Sequence, residues 1–587
     1  MRLSRLGVLS GLLSLSWAGA TVQKPGLVVP PVYAGRLNDT KALFVESYEA
    51  YRKYAWGHDD LAPLSKGFVD SRNGWGSSVV DAMSTMVSNN YACSEDGFKP
   101  SCEGHHGIRR TSSLTPMRPL FDASPHELQE YIEEAVNYTS MIDFTQSRIP
   151  GAVSVFETTI RYLGGLLSSY ELSGKKYQVL VDKAREVADK MAFAWVGDSV
   201  IPFGFVDFDS NTPLYFTSNI AEAGTLSLEW YLLSKYTKNT TYADLSVAPV
   251  IHIANLPSPL PGLAAQGINP VTGEFIGGYV TWGAASDSYF EYLVKYARLT
   301  NTDNSIFINT WKACLTGENR FLAKCCVRPP LTLRSGLCSK NRRSETLRIS
   351  PITTTARFGL SARMSPGHVY AVAEMELNVL ESLGLFPCRE LAAGFHYTGG
   401  RLLNNQTIVD IALELNEGCW NSYASTATGI GPEAFAFIST DSNATDGSVS
   451  EDQLKFYSEH GFYITNSKYV MRPEVLESNF HAWRVTGDTK YLDRAGDAID
   501  SFFKYLPAPV AYGPLVDVNN ATGGLIDDME SFWFAEVLKY LYLTFDDPDN
   551  ISLDKYVFNT ECQPFEAPPA LKSYDTPGRL TFVAQQS

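Results

Sequence analysis

The sequence predicts an all-α protein built as a ring of helix pairs. Apolar residues recur at helical spacing along most of the 587 residues, and strand-like alternation is scarce and short. One polar turn also recurs at a near-constant interval, with its serine or threonine at positions 173, 237, 300 and 486. A fixed period over several copies indicates a repeat architecture in which no single helix pair can bury its own apolar face. The pairs then close into a double-layered toroid, or they stack as an open superhelix with a concave binding face.

The N-terminus predicts a secretory signal. Arg2 and Arg5 precede a short apolar run, and Ala18-Gly19-Ala20 supplies small residues for cleavage. We therefore expect a signal peptide at 1–20, a linker at 21–39, the main domain at 40–565 and a tail at 566–587. No other segment is long and apolar enough to span a bilayer, so no membrane span is expected after cleavage. A retained Golgi anchor is the alternative.

Charge and glycosylation motifs narrow the class of partner. The net charge is −16 with no basic tail, which argues against nucleic acid and anionic membrane as main partners. Seven N-x-S/T sequons support passage through the secretory route. Their asparagines are Asn38, Asn137, Asn239, Asn405, Asn443, Asn520 and Asn550.

The nine cysteines would meet an oxidising compartment on that route. Cys93 and Cys102 could close a short loop, and Cys388 is the best placed partner for Cys419. An odd count leaves at least one cysteine unpaired or paired between chains.

Helical spacing is clearest in eight segments, and on the order of seven or eight helix pairs fit between Lys41 and Phe558. The segments are Lys41–Ala55, Leu128–Asn137, Phe156–Glu171, Tyr177–Phe193, Ile220–Lys235, Ser286–Leu299, Glu474–Val485 and Lys490–Lys504. Gly164-Gly165 within the third segment would let another backbone approach closely.

A ninth helix is apolar on nearly every face from Phe532 to Leu543, which predicts that it is buried. Asp527, Asp528 and Glu530 lie at its start, where the helix dipole favours acids. Glu536 and Lys539 are expected to form its one internal ion pair.

Carboxylates recur at helix starts, often beside arginine. An ordinary surface ion pair or a helix cap explains some of them. Pro473 suits a first helical position, and the two acids that follow it would share one face. Gathered at one end of a toroid, such acids would line a pocket suited to glycosidic cleavage or to a hard cation. They are Glu157 with Arg161, Asp287 with Glu291, Glu433, and Glu474 with Glu477 after Arg472.

Longer stretches closely resemble glycoside hydrolase family 47, the class I α-1,2-mannosidases, and look like a fungal secreted member. The resemblance reaches from about Lys41 to Pro564 with one interruption. It is carried by VFETTIRYLGGLL, GAASDSYFEYLVKYARL, GIGPEAFAF, YVMRPEVLES with WRVTGDTKYLDRA, DDMESFWFAEVLKYLYLTF and VFNTE.

The resemblance implies an (α/α)7 barrel with a C-terminal hairpin plugging it, so that residues 40–565 form the catalytic domain. It implies a calcium-dependent mannosyl-oligosaccharide 1,2-α-mannosidase that removes terminal α-1,2-linked mannose from high-mannose N-glycans with inversion. We expect a monomer that is secreted, with the Golgi or ER lumen as the alternative location. The alternative function is a non-hydrolytic mannose-binding factor in glycoprotein quality control.

By matching motif, Glu157 would be the acid, acting directly or through a water. Glu474 would be the base that activates the attacking water. Asp287 is the third catalytic carboxylate, and whether it serves as the acid stays open. Thr560 would bind Ca²⁺ through its hydroxyl and carbonyl oxygens. Arg161, Glu291, Glu433, Arg472, Glu477, Glu530 and Glu561 would line the sugar pocket.

Two departures from the family pattern fall near the predicted site. Asp81 is kept in Val80-Asp81-Ala-Met-Ser84, but Ser84 replaces the usual second acid. After Thr560-Glu561, Cys562-Gln563-Pro564 replaces the usual Ala-His-Pro.

The segment 313–396 breaks the resemblance. Residues 313–373 hold ten Arg or Lys against two acids, together with Cys314, Cys325, Cys326 and Cys338. A family-specific surface insertion is one explanation, and translated non-coding sequence is the one we favour. The second explanation predicts a missing barrel element, Cys388 as only a stand-in for the usual partner of Cys419, and a chain that expresses poorly or is inactive.

Overall fold

The computed structural model of the chain describes residues 19–91, 125–260, 262–325, 394–436 and 449–575. The chain divides into two units. The smaller unit comprises Phe321–Phe386 and Ala436–Tyr463. Its best-defined element is helix α14 (Glu451–His460), which a capping box between Ser450 and Gln453 begins. The larger unit comprises Met1–Arg320, Pro387–Phe435 and Ile464–Ser587, and it holds the helical ring.

The helices of the ring fall into two sets. Seven positions form an outer layer with one solvated face: α1 (Ala34–Tyr54), α3 (Pro125–Met141), α6 (Gln178–Met191), α9 (Thr241–Asn255), α11 (Ile306–Cys325), α13 (Gln406–Ala424) and α16 (Lys490–Tyr505).

Seven further positions alternate with these along the chain and are almost wholly buried, so they form the inner layer. They are α2 (Ser77–Tyr91); α4 (Val155–Glu157), a π-helical turn (Thr158–Leu163) and α5 (Gly164–Leu172); α7 (Ile220–Gly224) with α8 (Ser227–Thr237); α10 (Asp287–Thr300); α12 (Gly394–Leu402); α15 (Glu474–Thr486); and a π-helical turn (Trp533–Val537) with α17 (Leu538–Phe545).

The ring is closed, because the first helix pair packs against the last. Helix α1 contacts α17, and α2 contacts the π-helical turn Trp533–Val537. The (α/α)7 barrel is therefore confirmed, and the open superhelix is not formed.

The four recurring polar turns join inner helices α5, α8, α10 and α15 to the outer helices that follow them. Thr237, Thr300 and Thr486 each donate a hydroxyl hydrogen bond to the carbonyl four residues earlier, at 2.6, 2.8 and 2.6 Å. The residue after each threonine has a positive φ, which ends the helix. Ser173 closes its turn on the Tyr170 carbonyl instead. The repeat seen in the sequence is thus a helix C-cap.

Longer connections run from outer to inner helices and carry short antiparallel strands. These are β1 (Asp60–Ala62) with β2 (Gly67–Val69); β3 (Val153–Ser154), β4 (Phe205–Asp207) and β5 (Thr212–Pro213); and β6 (Ser218–Asn219), β7 (Gly267–Ile268) and β8 (Phe275–Ile276). Strands β9 (Ala434–Ala436) and β10 (Tyr463–Asn466) are also short.

A C-terminal hairpin enters the barrel from the other end. Its strands are β11 (Tyr556–Phe558) and β12 (Pro564–Glu566), with Val557 opposite Phe565. Ser168 of α5 donates to the Pro564 carbonyl at 2.8 Å. A Cβ added at Gly164 would lie 2.6 Å from the Asn559 amide nitrogen, and one at Gly165 would lie 2.8 Å from the Val80 carbonyl. The glycine pair therefore permits both close approaches, as the sequence predicted.

The segment predicted as a linker is instead packed in place. Val22 donates its backbone N–H to Asp554 at 2.6 Å, and Gln23 accepts from the buried Arg484 guanidinium at 2.8 Å. Arg484 also donates to the carbonyls of Leu543, Pro548 and Ile551. Helix α1 begins at Ala34, within the predicted linker, and Arg36 in its first turn pairs with Asp500 of α16.

Helices are present at all eight predicted segments, with ends that shift by up to seven residues. Pro473 precedes α15 rather than occupying its first position. The predicted pair of Glu536 and Lys539 is wrong. The Lys539 ammonium donates to the Cys562 carbonyl at 2.7 Å and to Gln563, because the hairpin brings these acceptors into the core.

Residues 326–393 lie outside the described residues, as do Cys93, Cys102 and Cys388, so the origin of that segment and the pairing of Cys419 stay predictions. At the two ends of the segment, α11 and α12 occupy an outer and an inner position. The expectation of a missing barrel element is therefore wrong within the described residues, although α12 has only 9 residues.

Within the parts of the chain that the structure describes, no helix combines the length and the apolar character that crossing a membrane requires. Most of the predicted signal peptide, residues 1–18, falls outside those parts. Asn443 does as well. Of the other sequon asparagines, Asn550 is half-buried and five are exposed: Asn38, Asn137, Asn239, Asn405 and Asn520.

Candidate active site

The predicted acids gather where the inner helices begin. Glu157 ends α4, Asp287 begins α10, Glu474 begins α15, and Glu530 lies just before the π-helical turn that leads into α17. All four are reached from the same end of the barrel, because every inner helix starts after a long outer-to-inner connection. Helix N-termini favour carboxylates, and the side chains of Glu157, Glu474 and Glu530 are each partly exposed at this end.

Arg161 lies at the centre of a buried ion-pair network. Its Nε donates to Glu157 at 2.8 Å, and its Nη1 donates to Glu561 at 2.6 Å and to Ser531 at 3.1 Å. Ser531 in turn donates to Asp81 at 2.5 Å. The predicted helix pair of Glu157 and Arg161 therefore forms, and the network extends to acids from two other elements, Glu561 of the hairpin turn and Asp81 of α2.

Arg72, which the sequence did not single out, lies on the other side of Glu157. Its Nε is 3.3 Å from Glu157 and its Nη2 is 3.6 Å from Glu530. The backbone before α2 holds this arginine in place, because Asp59 accepts from the N–H groups of Arg72 and Gly74. No local spacing predicts this contact, since 85 residues separate Arg72 from Glu157.

A second arginine serves the Glu474 side. Arg472 donates from Nε to Glu433 at 2.9 Å, and its Nη1 lies 3.9 Å from Glu474. The Phe532 ring lies between the two sides, with the guanidinium carbons of Arg161 and Arg472 at 5.4 and 5.8 Å from its centroid. Cation–π attraction to one ring thus links the two arginine groups.

The third group of acids lies on α10 and α15. Glu291 forms a buried ion pair with Lys295 one turn later. Burial raises the pKa of Glu477 to about 8, with Glu291 and Glu474 adding to the rise and Lys295 opposing it. Asp287 begins the same helix as Glu291, and its carboxylate accepts the Ser288 N–H at 2.9 Å.

The arginines split the pKa values of these acids. For Glu157, burial alone would raise the pKa, but Arg72 and Arg161 outweigh it and lower the value to about 2. For Glu561, burial dominates and raises the pKa to about 8 despite Arg161. Burial, followed by Glu561, Glu474 and Glu477, also raises the pKa of Glu536. Glu157 is thus a firm carboxylate at neutral pH.

The site offers oxygen ligands to a hard cation. Thr560 lies in the hairpin turn next to Glu561, and the buried carboxyls of Glu561 and Glu477 lie close enough to Glu536 to raise its pKa. Ca²⁺ takes oxygen ligands, so this donor set fits the ion. Within the described residues no three His, Cys, Asp or Glu side chains are arranged to chelate a metal. Such an ion would therefore rely on Thr560, water and substrate hydroxyls.

The two departures from the family pattern meet in space. Ser84 donates to Gln563 at 2.5 Å, and Gln563 donates to Asp81 at 3.4 Å. Where the family pattern has an acid and a histidine, this chain has a neutral hydrogen-bonded pair.

Sequence reasoning did not single out Glu229, and it placed Asp528 only at a helix start. Burial and the neighbouring Glu530 raise the pKa of Asp528 to about 7. Glu229 and Lys539 are fully buried in inner helices. In the sequence, each of the two is an ionisable residue inside an otherwise apolar helix. For Lys539 that pattern predicted only an ion pair.

Comparison with known proteins agrees with this picture. The family model described as glycosyl hydrolase family 47 matches residues 43–567. Mannosyl-oligosaccharide alpha-1,2-mannosidase 1B of Aspergillus phoenicis is 32% identical, covering 94% of this chain and 98% of that protein. The Aspergillus oryzae protein of the same name is 33% identical, covering 90% and 91%.

Among solved structures, the alpha-1,2-mannosidase from Trichoderma reesei superposes with a TM-score of 0.70 at 28% sequence identity. The match covers 92% of this chain and 100% of that one.

Proposed function

Because this chain belongs to glycosyl hydrolase family 47, we propose that it is a calcium-dependent, inverting exo-α-1,2-mannosidase that trims terminal mannose from high-mannose N-glycans. The observation that carries the proposal is the arginine-linked set of acids at the open end of the barrel, with Glu157 and Glu474 on its two sides. Relatives named as mannosyl-oligosaccharide alpha-1,2-mannosidases, at about one third identity over most of their length, supply the bond and the substrate class.

Inversion needs one group that activates water and another that protonates the leaving oxygen. Glu474 is the proposed base, since it lies at a helix start beside Arg472, which stabilises its carboxylate. With a pKa lowered to about 2, Glu157 holds no proton of its own at neutral pH. The proton for the leaving oxygen then comes from bulk solvent through a water that Glu157 orients, or directly from the carboxyl of Asp287.

Ca²⁺ fits the oxygen donors around Thr560, and the residue would hold it through its hydroxyl and carbonyl. When bound, the ion would supply positive charge and coordination for sugar hydroxyls. The protein's own part is to orient the sugar. Arg161, Arg472, Glu291, Glu433, Glu477, Glu530 and Glu561 are the proposed binding residues.

The base assignment is tested by Glu474→Gln. We expect mannose release from a high-mannose glycan to fall about 10²–10⁴-fold, because the amide cannot take a proton from water. The matched control is Glu417→Gln on the outer helix α13, where the carboxylate pairs with Arg494 and Lys490 away from the inner-helix starts. Near-wild-type release by the Glu474 variant would remove it from this role. Glycan binding without trimming by the wild type would favour the quality-control alternative.

The calcium assignment is tested by chelation. Exhaustive treatment with a chelator should abolish mannose release, and added Ca²⁺ should restore it. Mg²⁺ should restore it poorly, because it prefers a smaller octahedral shell and gives up its waters reluctantly. The release of mannose is followed by chromatography of the labelled glycan. Activity that survives chelation would count against a catalytic calcium.

We further propose that the chain works as a monomer in the secretory route or outside the cell. The five exposed sequon asparagines are accessible to glycosylation, which supports this location.

A further inference from the structure

A buried carboxyl outside the predicted site is linked to the hairpin turn that carries Thr560, directly through Asn559 and indirectly through Tyr292 of α10. Glu229, in the first turn of α8, is fully buried. Its Oε1 accepts from the Tyr292 hydroxyl at 2.6 Å and from the Asn559 side-chain amide at 2.8 Å. Asn559 directly precedes Thr560, and Tyr292 lies on α10 facing the turn.

Asn559 has only one possible orientation. Its Oδ1 accepts from the backbone N–H groups of Glu561 and Gln563 at 2.9 and 2.7 Å, so its Nδ2 must face the acceptors on the other side. Those acceptors are the Ile160 carbonyl at 2.9 Å and Glu229. The Asn559 side chain therefore fixes the turn through two hydrogen bonds to its backbone, and Glu229 fixes the orientation of that side chain.

The Tyr292 hydroxyl connects Glu229 to the backbone of Thr560. Its hydroxyl donates its one proton to Glu229, which leaves a lone pair free to accept the Thr560 N–H at 3.4 Å. Without an acceptor at Glu229 the hydroxyl would be free to rotate, and the Thr560 N–H would lose a defined partner.

We propose that Glu229 is a positioning residue that orients the turn at 559–563 and thereby presents Thr560 to a bound cation. The inference rests on the proposed function for the identity of the cation as Ca²⁺. Partners that orient metal ligands commonly change metal affinity about 10–100-fold when they are removed.

The second oxygen of Glu229 has no hydrogen-bond partner among the described residues, and burial raises the pKa of the group to about 8. A carboxyl that is uncharged at neutral pH resembles a carboxamide in shape and polarity. Glu229→Gln keeps an acceptor oxygen for Tyr292 and Asn559, so it should behave like the wild type.

The test measures Ca²⁺ binding by isothermal titration calorimetry on the full-length protein without substrate. Glu229→Leu and Tyr292→Phe should each weaken Ca²⁺ binding tenfold or more, and Glu229→Gln should stay within about threefold of the wild type. At saturating Ca²⁺, Tyr292→Phe should recover most of kcat, since the reacting acids remain in place.

Glu171→Leu is the matched control. Glu171 is also a buried glutamate of an inner helix, and it accepts from the Tyr236 hydroxyl and from the Glu566 N–H at 2.7 Å. It holds the base of the same hairpin instead of its turn. Its loss should lower the melting temperature as much as the loss of Glu229 while leaving Ca²⁺ affinity within threefold.

The proposal is overturned if Glu229→Leu and Tyr292→Phe lower the melting temperature but leave Ca²⁺ affinity unchanged, as expected for Glu171→Leu. A wild-type protein that binds no Ca²⁺ would overturn it together with the calcium part of the proposed function. Mannose release by that same protein would show that the proposed reaction itself still holds.

Discussion

At the residue scale, the placement of the arginines decides which acids are charged. Glu157 touches two guanidinium groups and is 31% exposed, and its pKa falls to about 2. Glu561 is nearly buried and contacts one of the same arginines, and its pKa rises to about 8. The same type of side chain therefore has its pKa shifted in opposite directions within one pocket, because desolvation and ion pairing compete separately at each position.

The neutral pair of Ser84 and Gln563 allows a prediction about the stability of variants that restore an acid and a histidine at these positions. Ser84 is fully buried beside Asp81, so Ser84→Asp would add a second buried carboxylate without a cation of its own. We expect it to lower the free energy of unfolding by about 3–5 kcal/mol. Adding Gln563→His supplies a partner and should recover at least half of that loss. Urea unfolding of both single variants and the double variant gives the coupling energy.

Ser84→Ala is the control for this cycle, since it removes one hydrogen bond without adding charge and should cost about 1 kcal/mol. If Ser84→Asp and Gln563→His prove additive, the two positions act independently and the pairing is wrong.

The sequence predicted individual residues where their chemistry is local. Glu157, Asp287 and Glu474 stand at helix starts, and the structure places them at one end of the barrel. Arg72 was missed because its partners are far along the chain, and no spacing rule connects it to Glu530. Glu229 was missed for the same reason, since its partners lie on α10 and on the hairpin.

At the element scale, the inner helices depend on close approach between backbones. Gly165 of α5 packs on the Val80 carbonyl of α2, and Gly164 packs on Asn559 of the hairpin. One dipeptide thus sets the distance between three elements of the barrel.

Gly165→Ala should therefore destabilise the fold although alanine is the better helix former. The added Cβ would lie 2.8 Å from a backbone oxygen, and relieving that overlap should cost about 1–3 kcal/mol. Gly418→Ala, in the outer helix α13 with open space around the added Cβ, should stabilise by about 0.8–1 kcal/mol. Thermal unfolding of both variants distinguishes packing from propensity. An equal gain in both would contradict the close approach.

Helical spacing identified the elements whose apolar residues are large and regular. Inner helix α2, SSVVDAMSTMVSNNY, was missed although its valines and methionines recur at helical spacing, because serine, threonine and aspartate fill the other buried positions and no polar face marks the helix as amphipathic. Outer helix α9 was missed because Pro249 interrupts it, although that proline is buried inside the helix. In both cases tertiary packing overrides local propensity.

At the scale of the whole molecule, the open end of the barrel concentrates negative charge in partly dry surroundings. Asp528 faces Glu530, Asp60 and Arg72 there, and burial followed by Glu530 raises its pKa from 3.8 to about 7. Burial likewise raises the pKa of Asp60, with Glu530 and Asp528 adding to it.

A raised carboxyl pKa means that the folded protein binds this proton more tightly than the unfolded chain. The contribution of Asp528 to stability is therefore lost as pH rises from about 4 to about 7. Asp528→Asn should remove this loss of stability. The melting temperature of the variant should therefore fall less than that of the wild type as the pH is raised from 4.5 to 7.5. Asp410→Asn, at an exposed position of α13, should leave the wild-type pH dependence unchanged. Parallel pH profiles of the wild type and Asp528→Asn would contradict the assignment.

The hairpin that plugs the barrel is synthesised after the helices that surround it. Thr560 and Glu561 are made after all seven helix pairs, and the docking of Val22 and Gln23 must wait for Asp554 and Pro548. While these residues are still inside the ribosome, the chain has no hairpin turn that could bind a cation. Arg161 then also lacks its hydrogen bond to Glu561. The nascent protein therefore has no finished pocket until the hairpin, Tyr556–Glu566, has been made.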